Sequence, residues 1–355
     1  MSEETIKAIE PITNDNGSKE KDKLTGPFGI DIGTTHIVIA IKNDKNEKHV
    51  ETTKQLNAFF TVPYSKFTGK ILTQNEVMFY NQNGSFYVIG NSAETFANNL
   101  GLDLRRPMQG GFLNPKEEEG INIIQAIIKK LVKLPKKYGE KICFSIPGPI
   151  LDSHNSVIFH ESVLKKTFES MGFNPTSINE AMAIIIAELE KDNYTGIAIS
   201  MGGGMCNVCF SYLSIPVVEF SIQKGGDYID NLVANNLGEH PMTIKMIKEN
   251  DLDLTREPKN RIETALQIFY DDLFSTLLNN IRRVLSTSDK MPRIAKPMPL
   301  ILGGGTVMPK GCKDRFDQLL KTVQMPVQIS SVRIAESPLN VTAKGALIKA
   351  MSEEQ

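Results

Sequence analysis

The sequence predicts an α/β protein of two structurally related domains, and three observations carry that reading. The chain has 355 residues, too many for one ordinary core and suited to two domains of usual size. A short apolar strand, a turn of Gly and small residues, and a second apolar strand open each half, at Gly29–Ile41 and Thr195–Phe210. Between and after these units run segments of helical period.

Taken in order, Met1 to about Gly26 is polar and charged and is broken by Pro11 and Gly17. It is expected to be a disordered tail. Ile6 and Ile9 would make one amphipathic turn, too little apolar area for stable membrane attachment. In the first unit, Gly29-Ile-Asp-Ile-Gly-Thr-Thr-His-Ile-Val-Ile-Ala-Ile41, the residues from Ile37 are β-branched and apolar. The unit therefore reads as a β-hairpin whose tip is rich in free backbone N–H groups. A dinucleotide fold or P-loop would need a helix after the Gly turn. Neither G-x-G-x-x-G nor G-x-x-x-x-G-K-[ST] occurs, which argues against a Rossmann oxidoreductase and a P-loop NTPase.

Ile121–Leu134 is an amphipathic helix with lysines toward its C-terminal end, where they complement the helix dipole. Lys129, Lys130, Lys133, Lys136 and Lys137 read as a solvated face rather than a basic patch. Glu161–Met171 is helical and is stopped by Gly172 and Pro175. Glu180–Leu189, EAMAIIIAEL, is apolar enough to be buried between domains. After the second hairpin come a long amphipathic helix, Thr264–Leu285, a third Gly turn within Pro299–Pro309, and a last helix, Ala343–Met351.

Composition narrows the function. Lys+Arg 40 against Asp+Glu 41 lacks the basic excess of a nucleic-acid binder. No apolar run reaches the roughly 18–20 residues of a membrane span, and the start lacks a signal peptide. A cytoplasmic location follows, with any membrane contact indirect. Cys143, Cys206, Cys209 and Cys312 are too scattered for a disulfide scaffold. Cys206-x-x-Cys209 lies in the apolar run NVCFSY and reads as buried thiols rather than a metal site. The five histidines form no zinc pattern.

The three Gly turns, in this order, resemble the phosphate-one, phosphate-two and adenosine motifs of the actin superfamily, which includes actin, MreB, DnaK-type chaperone ATPases and several sugar kinases. The likeness runs from Phe28 to about Ala350. FSIPGPILDS followed by INEAMAIIIA, FSIQKGGDYID, MIKEN and RIAESPLNVTAKGAL are similar to intermediate segments of the group. LRRPMQGG and SIPGPILDSHNSVIFHE, with the turn Ser200–Met205, most resemble volactin-like archaeal actin homologues, which are associated with cell shape.

The resemblance implies the two-domain actin-like ATPase fold with a nucleotide cleft between the domains. Domain I would span 27–178, with a small subdomain at 51–109, and be completed by 336–351. Domain II would span 179–335, with a small subdomain at about 235–298. It also implies ATP and Mg²⁺. The N–H groups of Gly33, Thr34 and Thr35 would wrap phosphate oxygens, and Asp31 would hold Mg²⁺ through water. Gly202, Gly203 and Gly204 would let the backbone approach the phosphates from the other side. Ser200 stands where MreB and DnaK have Asp, and Met205 replaces a Thr, which predicts slow hydrolysis.

Gly303, Gly304 and Gly305 would floor the adenosine, and Lys248 and Glu249 would flank adenine and ribose. The alternative for the last two is a pair of charges on an exposed helix. Glu180 would face the metal, or else serve as a buried cap after Asn179. His154, His160 and Glu161 are candidates for positioning the attacking water, each with a structural role as its alternative. The leading expectation is a nucleotide-dependent protein that assembles with itself into filaments. The rivals are a chaperone-type ATPase, which the ending MSEEQ disfavours for want of a substrate domain, a small-molecule kinase, and a non-hydrolysing scaffold.

Overall fold

The computed structural model describes residues 26–353, apart from 43–49, 101, 103, 133–134, 136, 154–156, 290 and 293–295. The expected tail before Gly26, together with Lys133 and Lys136, lies outside the described residues.

The first half contains β1 (Phe28–Ile32), β2 (His36–Lys42), β3 (Val50–Leu56), β4 (Phe59–Pro63), α1 (Lys66–Gln74), β5 (Phe79–Gln82), β6 (Ser85–Ile89) and α2 (Asn91–Leu100). It continues through β7 (Met108–Gln109), β8 (Phe112–Leu113), α3 (Gly120–Val132), β9 (Glu140–Ile146), α4 (Val157–Ser170), β10 (Phe173–Asn179) and α5 (Glu180–Glu188). The second half contains β11 (Gly196–Met201), β12 (Cys206–Tyr212), β13 (Ile215–Ile222), α6 (Gly226–Leu237), α7 (Pro241–Asn250) and α8 (Arg261–Thr287). It ends with β14 (Met298–Gly303), α9 (Cys312–Leu320), β15 (Ile329–Ile334) and α10 (Val341–Ser352).

One sheet runs β3–β2–β1–β9–β10 and the other β13–β12–β11–β14–β15. In each, three strands form an antiparallel meander and two later strands add in parallel beside its first strand. The same order and the same strand senses in both halves make the repeated hairpin the signature of a duplicated domain. β3, expected to open the small subdomain at 51–109, instead pairs with β2 along its whole length. The excursion from the first sheet begins after Leu56, with the β4–β6–β5 sheet and a core of Phe60, Leu72, Phe86 and Val88.

Helix α4 starts at Val157, before the predicted Glu161. It ends at Gly172, which takes φ +92. Pro175 sits within β10, an edge strand that can spare a backbone donor. The four cysteines are free and buried. Cys206 packs in the second domain's main core and Cys209 in the interdomain cluster, on opposite faces of β12, so their spacing does not bring the thiols together. Among the described residues no helix is long and apolar enough to cross a membrane.

The halves are joined by their helices. α5 follows the first sheet's last strand yet packs on β11 and β12 of the second. α10 follows the second sheet's last strand yet packs on β1 and β9 of the first. The two helices cross so closely that a Cβ on Gly345 would lie 1.9 Å from the Ala183 carbonyl oxygen. A Cβ on Gly29 would lie 2.2 Å from the Ala343 oxygen. Gly345→Ala is therefore expected to force the two helices apart and cost about 3 kcal/mol. Urea unfolding followed by circular dichroism measures it, and a loss below 1 kcal/mol would show the contact to be loose.

Candidate functional site

Between the sheets lies a cavity of about 320 Å³, bounded by the tips of both hairpins, within the range of roughly 300–1,000 Å³ usual for ligand clefts. The two tips close alike. Gly33 N–H donates to His36 O at 2.9 Å, and Gly202 N–H donates to Met205 O at 2.9 Å. This corrects one expectation: the Gly33 N–H closes the turn and does not face a ligand.

Among the described residues, the N–H groups of Thr34, Thr35, Gly203 and Gly204 have no protein acceptor. The tips also touch. A Cβ on Gly203 would lie 2.3 Å from Thr35 Oγ1, and one on Gly204 would lie 2.4 Å from Thr34 Oγ1. Four free donors thus converge from two facing turns, the geometry that cradles an anion.

Asp31 and Glu180 line the same cavity. Ser145 Oγ donates to Asp31 Oδ1 at 2.7 Å. Glu180 Oε2 accepts from Ser200 Oγ and Asn207 Nδ2, each at 2.9 Å. Asn179, not Glu180, caps α5, its side chain accepting from Ala181 and Met182 N–H. Burial pushes Asp31 up to about 6. Burial and the nearby Asp31 charge push Glu180 up to about 8. Both carboxyls are thus held toward the protonated form, Glu180 the more strongly.

No cluster of three or more His, Cys, Asp or Glu among the described residues would hold a metal alone. Two half-buried carboxylates lining the cavity beside an anion cradle do fit Mg²⁺, which takes one or two carboxylates and completes its shell with water and phosphate.

Where α6 and α7 border the cavity, Lys248 is buried and its Nζ donates to Asp230 Oδ2 at 2.6 Å and to Gly226 O at 3.1 Å. The exposed-helix alternative fails for Lys248, whereas Glu249 is exposed at the cavity rim. Burial, opposed by Lys248, pushes Asp230 up to about 6. Gly304 and Gly305 line the cavity, but Gly303 does not; its Cβ would meet Ile184 and Val341. Gly304, at φ +90, is required because a Cβ would lie 2.3 Å from Met201 O, not because it would fill ligand space. Thr306 Oγ1 ties this floor to the second tip, donating to Gly202 O at 2.8 Å.

The candidates for positioning water are not brought here. His160 is buried under Phe112, with Leu113 N–H donating to its Nδ1, and burial pushes its pKa down to about 4. Glu161 accepts from Ser177 Oγ on β10. Neither lines the cavity, and His154 lies outside the described residues. Asn207, Ser145, Asp227, Asp230 and Thr306 belong to the site and were not singled out in the sequence. The segment GGDYID held the two aspartates in plain view.

The family model for volactin matches residues 27–350. This chain belongs to the volactin family. A curated relative, the actin-like protein MamK of Magnetospirillum gryphiswaldense, is 25% identical over 218 residues, 60% of this chain and 53% of MamK. The match thus spans about half of that relative. The solved MamK double helical filament superposes with a TM-score of 0.68 at 17% identity, covering 91% of this chain and 98% of that one. MreB5 of Spiroplasma citri bound to ADP gives 0.65 at 15% identity, covering 92% and 96%. At those identities the likeness is one of fold. The volactin-family chain has the two-domain actin-like fold and is a member of the actin-like ATPase superfamily.

The raised carboxyls make stability depend on pH with a definite sign. Folded Asp31 and Glu180 hold protons that the unfolded chain, near 3.8 and 4.5, has released. Their contribution is full at low pH and is lost as pH rises through the raised values. His36 and His160, both pushed down to about 4, oppose this only below 6.5. From pH 6.5 to 8 the ligand-free protein is expected to lose up to about 1.4 kcal/mol per pH unit. Glu180→Gln should flatten the slope. Thermal melts across that window test it, and a stability that rises with pH would exclude raised carboxyls at this site.

Proposed function

We propose that this protein binds ATP with Mg²⁺ in the interdomain cleft and assembles into filaments whose state follows the nucleotide. In this reading it works in the cytoplasm as a cytoskeletal element of cell shape, and its hydrolysis is slow. The observation that carries the reading is the set of four free N–H groups on two facing turns, set over the Asp31–Glu180 pair.

Thr34, Thr35, Gly203 and Gly204 would hold the phosphates, and Asp31 and Glu180 would hold the cation. Mg²⁺, when bound, neutralises phosphate charge as the terminal bond breaks. Lys248, Asp230 and the Gly304–Thr306 floor would orient the nucleoside. MreB5 is known bound to ADP and MamK as a filament, which supports both halves of the reading. Because the site spans both domains, a ligand that draws the tips together biases domain closure. Closure alters the surfaces on which a second copy adds head to tail, a contact that need not close into a ring.

Slow hydrolysis rests on the uncharged Ser200, which spends its hydroxyl on Glu180, and on the absence of His160 and Glu161 from the cavity. Losing one preorganised electrostatic group costs about two to three decades in rate. Ser200→Asp alone would press a third carboxylate against Glu180. Combined with Glu180→Gln it keeps the count at two, and that double variant is the informative one.

Calorimetry with Mg-ATP, sedimentation with and without nucleotide, and phosphate release test the proposal together. Binding, nucleotide-dependent pelleting and slow release are expected. Gly203→Val should abolish binding while leaving the melting temperature within a few degrees, since the atoms nearest its Cβ are the side-chain ends of Thr35 and Asp227 rather than backbone. Binding without assembly in any nucleotide state would favour a kinase or a scaffold. No binding would remove the proposal.

A further inference from the structure

Asp227 lines the cavity, and behind it, outside the cavity lining, stands an arginine whose pairing the turns do not explain. Arg106 lies where the chain returns from the small subdomain toward β7, with Asn114 Nδ2 donating to its carbonyl oxygen at 3.3 Å. Its Nη1 donates to Asp227 Oδ2, across the cleft on α6, at 2.8 Å, and both side chains are partly buried.

Asp227 is pinned against the second tip: its N–H donates to Gly203 O at 2.8 Å. Its carboxylate oxygens lie 3.5 and 3.6 Å from the point that a Gly203 Cβ would occupy, where Thr35 Oγ1 is 2.3 Å away. A carboxylate thus stands beside the four free N–H groups, and its partner is an arginine from the opposite domain. Lys245, paired with Glu94 at 3.7 Å, adds positive charge on the same side. Lys54, Lys245 and Arg106 all act on the half-buried His36, behind desolvation as the larger cause, and its pKa is pushed down to about 4.

The arrangement is in conflict with the anion it surrounds. A phosphate entering the cradle meets Asp227 as a like charge at close range, a repulsion that strengthens as water is excluded. The guanidinium relieves it only if it is shared or transferred. A terminal phosphate offers the bidentate oxygen face that arginine prefers. A diphosphate, one group shorter, leaves the Arg106–Asp227 pair undisturbed.

We propose that Arg106 exchanges from Asp227 to the terminal phosphate of a bound nucleoside triphosphate, and so distinguishes triphosphate from diphosphate. The inference rests on the nucleotide reading of the cleft. Because the Arg106–Asp227 pair joins the connector of one domain to α6 of the other, the exchange also reports the nucleotide to the interdomain contact. No bond is made or broken in it; one charge-assisted pair replaces another.

The test separates a phosphate reader from a mere clasp, because the two variants that break the pair then act in opposite directions. Calorimetry on the full chain with Mg-ADP and with Mg-AMPPNP, a non-hydrolysable ATP analogue, supplies the readout. The unaltered protein should prefer AMPPNP by about tenfold or more, the usual worth of a hydrogen bond to a charged group. Arg106→Ala should shrink that preference to within about twofold while leaving ADP affinity in place. Asp227→Asn, which frees the guanidinium and removes the like charge, should widen it.

Melting without nucleotide checks that both variants are folded; both side chains are partly exposed, so neither substitution opens the core. Parallel shifts in the two variants, or equal losses for ADP and AMPPNP in Arg106→Ala, would reduce Arg106 to a clasp and overturn the inference. Recovery of AMPPNP-like affinity by ADP with inorganic phosphate would mean that the site reads the free ion instead, which also overturns it. If the unaltered protein binds ADP but shows no triphosphate preference, only this inference falls. If it binds neither, the nucleotide reading falls with it.

Discussion

The Ala183 carbonyl of α5 occupies the space that any side chain at residue 345 would need, and much of the architecture hangs on that absence. Because the helices touch backbone to backbone, α10 can lie flat on β1, with Ala343 against Gly29. Val38 and Ala40 of β2 close over Ala343 and Leu347. β1 and β11 are in turn the strands whose C-terminal ends carry the two tips. A shift of the helix crossing by one methyl radius would move the tips relative to each other by a similar amount. Phosphate-sized gaps are not tolerant of that, since close-packed interiors pass displacements on rather than absorb them.

Duplication supplies two near-identical tips, but the charges beside them differ. The first half contributes Asp31 two residues before its turn, and the second half contributes Ser200 at the matching place. Glu180 fills the difference from α5, reaching Ser200 and Asn207. The Asp31–Glu180 pair at the cavity therefore has one carboxylate from a strand and one from a helix, rather than one beside each tip.

Much of this was legible in the sequence, for a physical reason. Hairpin tips and buried strands are local features: Ile37–Ile41 and Asn207–Tyr212 announce strands, and Gly-rich turns announce free N–H groups. The adjacency of the tips came through the actin-superfamily resemblance, which the volactin family match bears out. What did not show were the long-range polar partners. Asn207 looked like a strand residue, yet it ties β12 to Glu180 and to the Gly148 N–H. Gly33 and Gly303 were credited with ligand-facing roles, whereas one closes its turn and the other packs against Ile184. Glycine marks a close approach without saying to what. His160 and Glu161 were reached by counting along the chain, and α4 turns both toward protein.

The exchange of covering helices has a consequence for how the chain is born. β1 emerges early from the ribosome with a bare flank at Gly29, and the helix that covers it is made roughly 300 residues later. Contacts so distant in sequence are slow to form, and exposed apolar surface in the interval invites wrong partners. The first domain can acquire its sheet during synthesis but not its finished surface. The tips should therefore come into register late, after α10 docks, making competence for ligand one of the last properties the nascent protein gains.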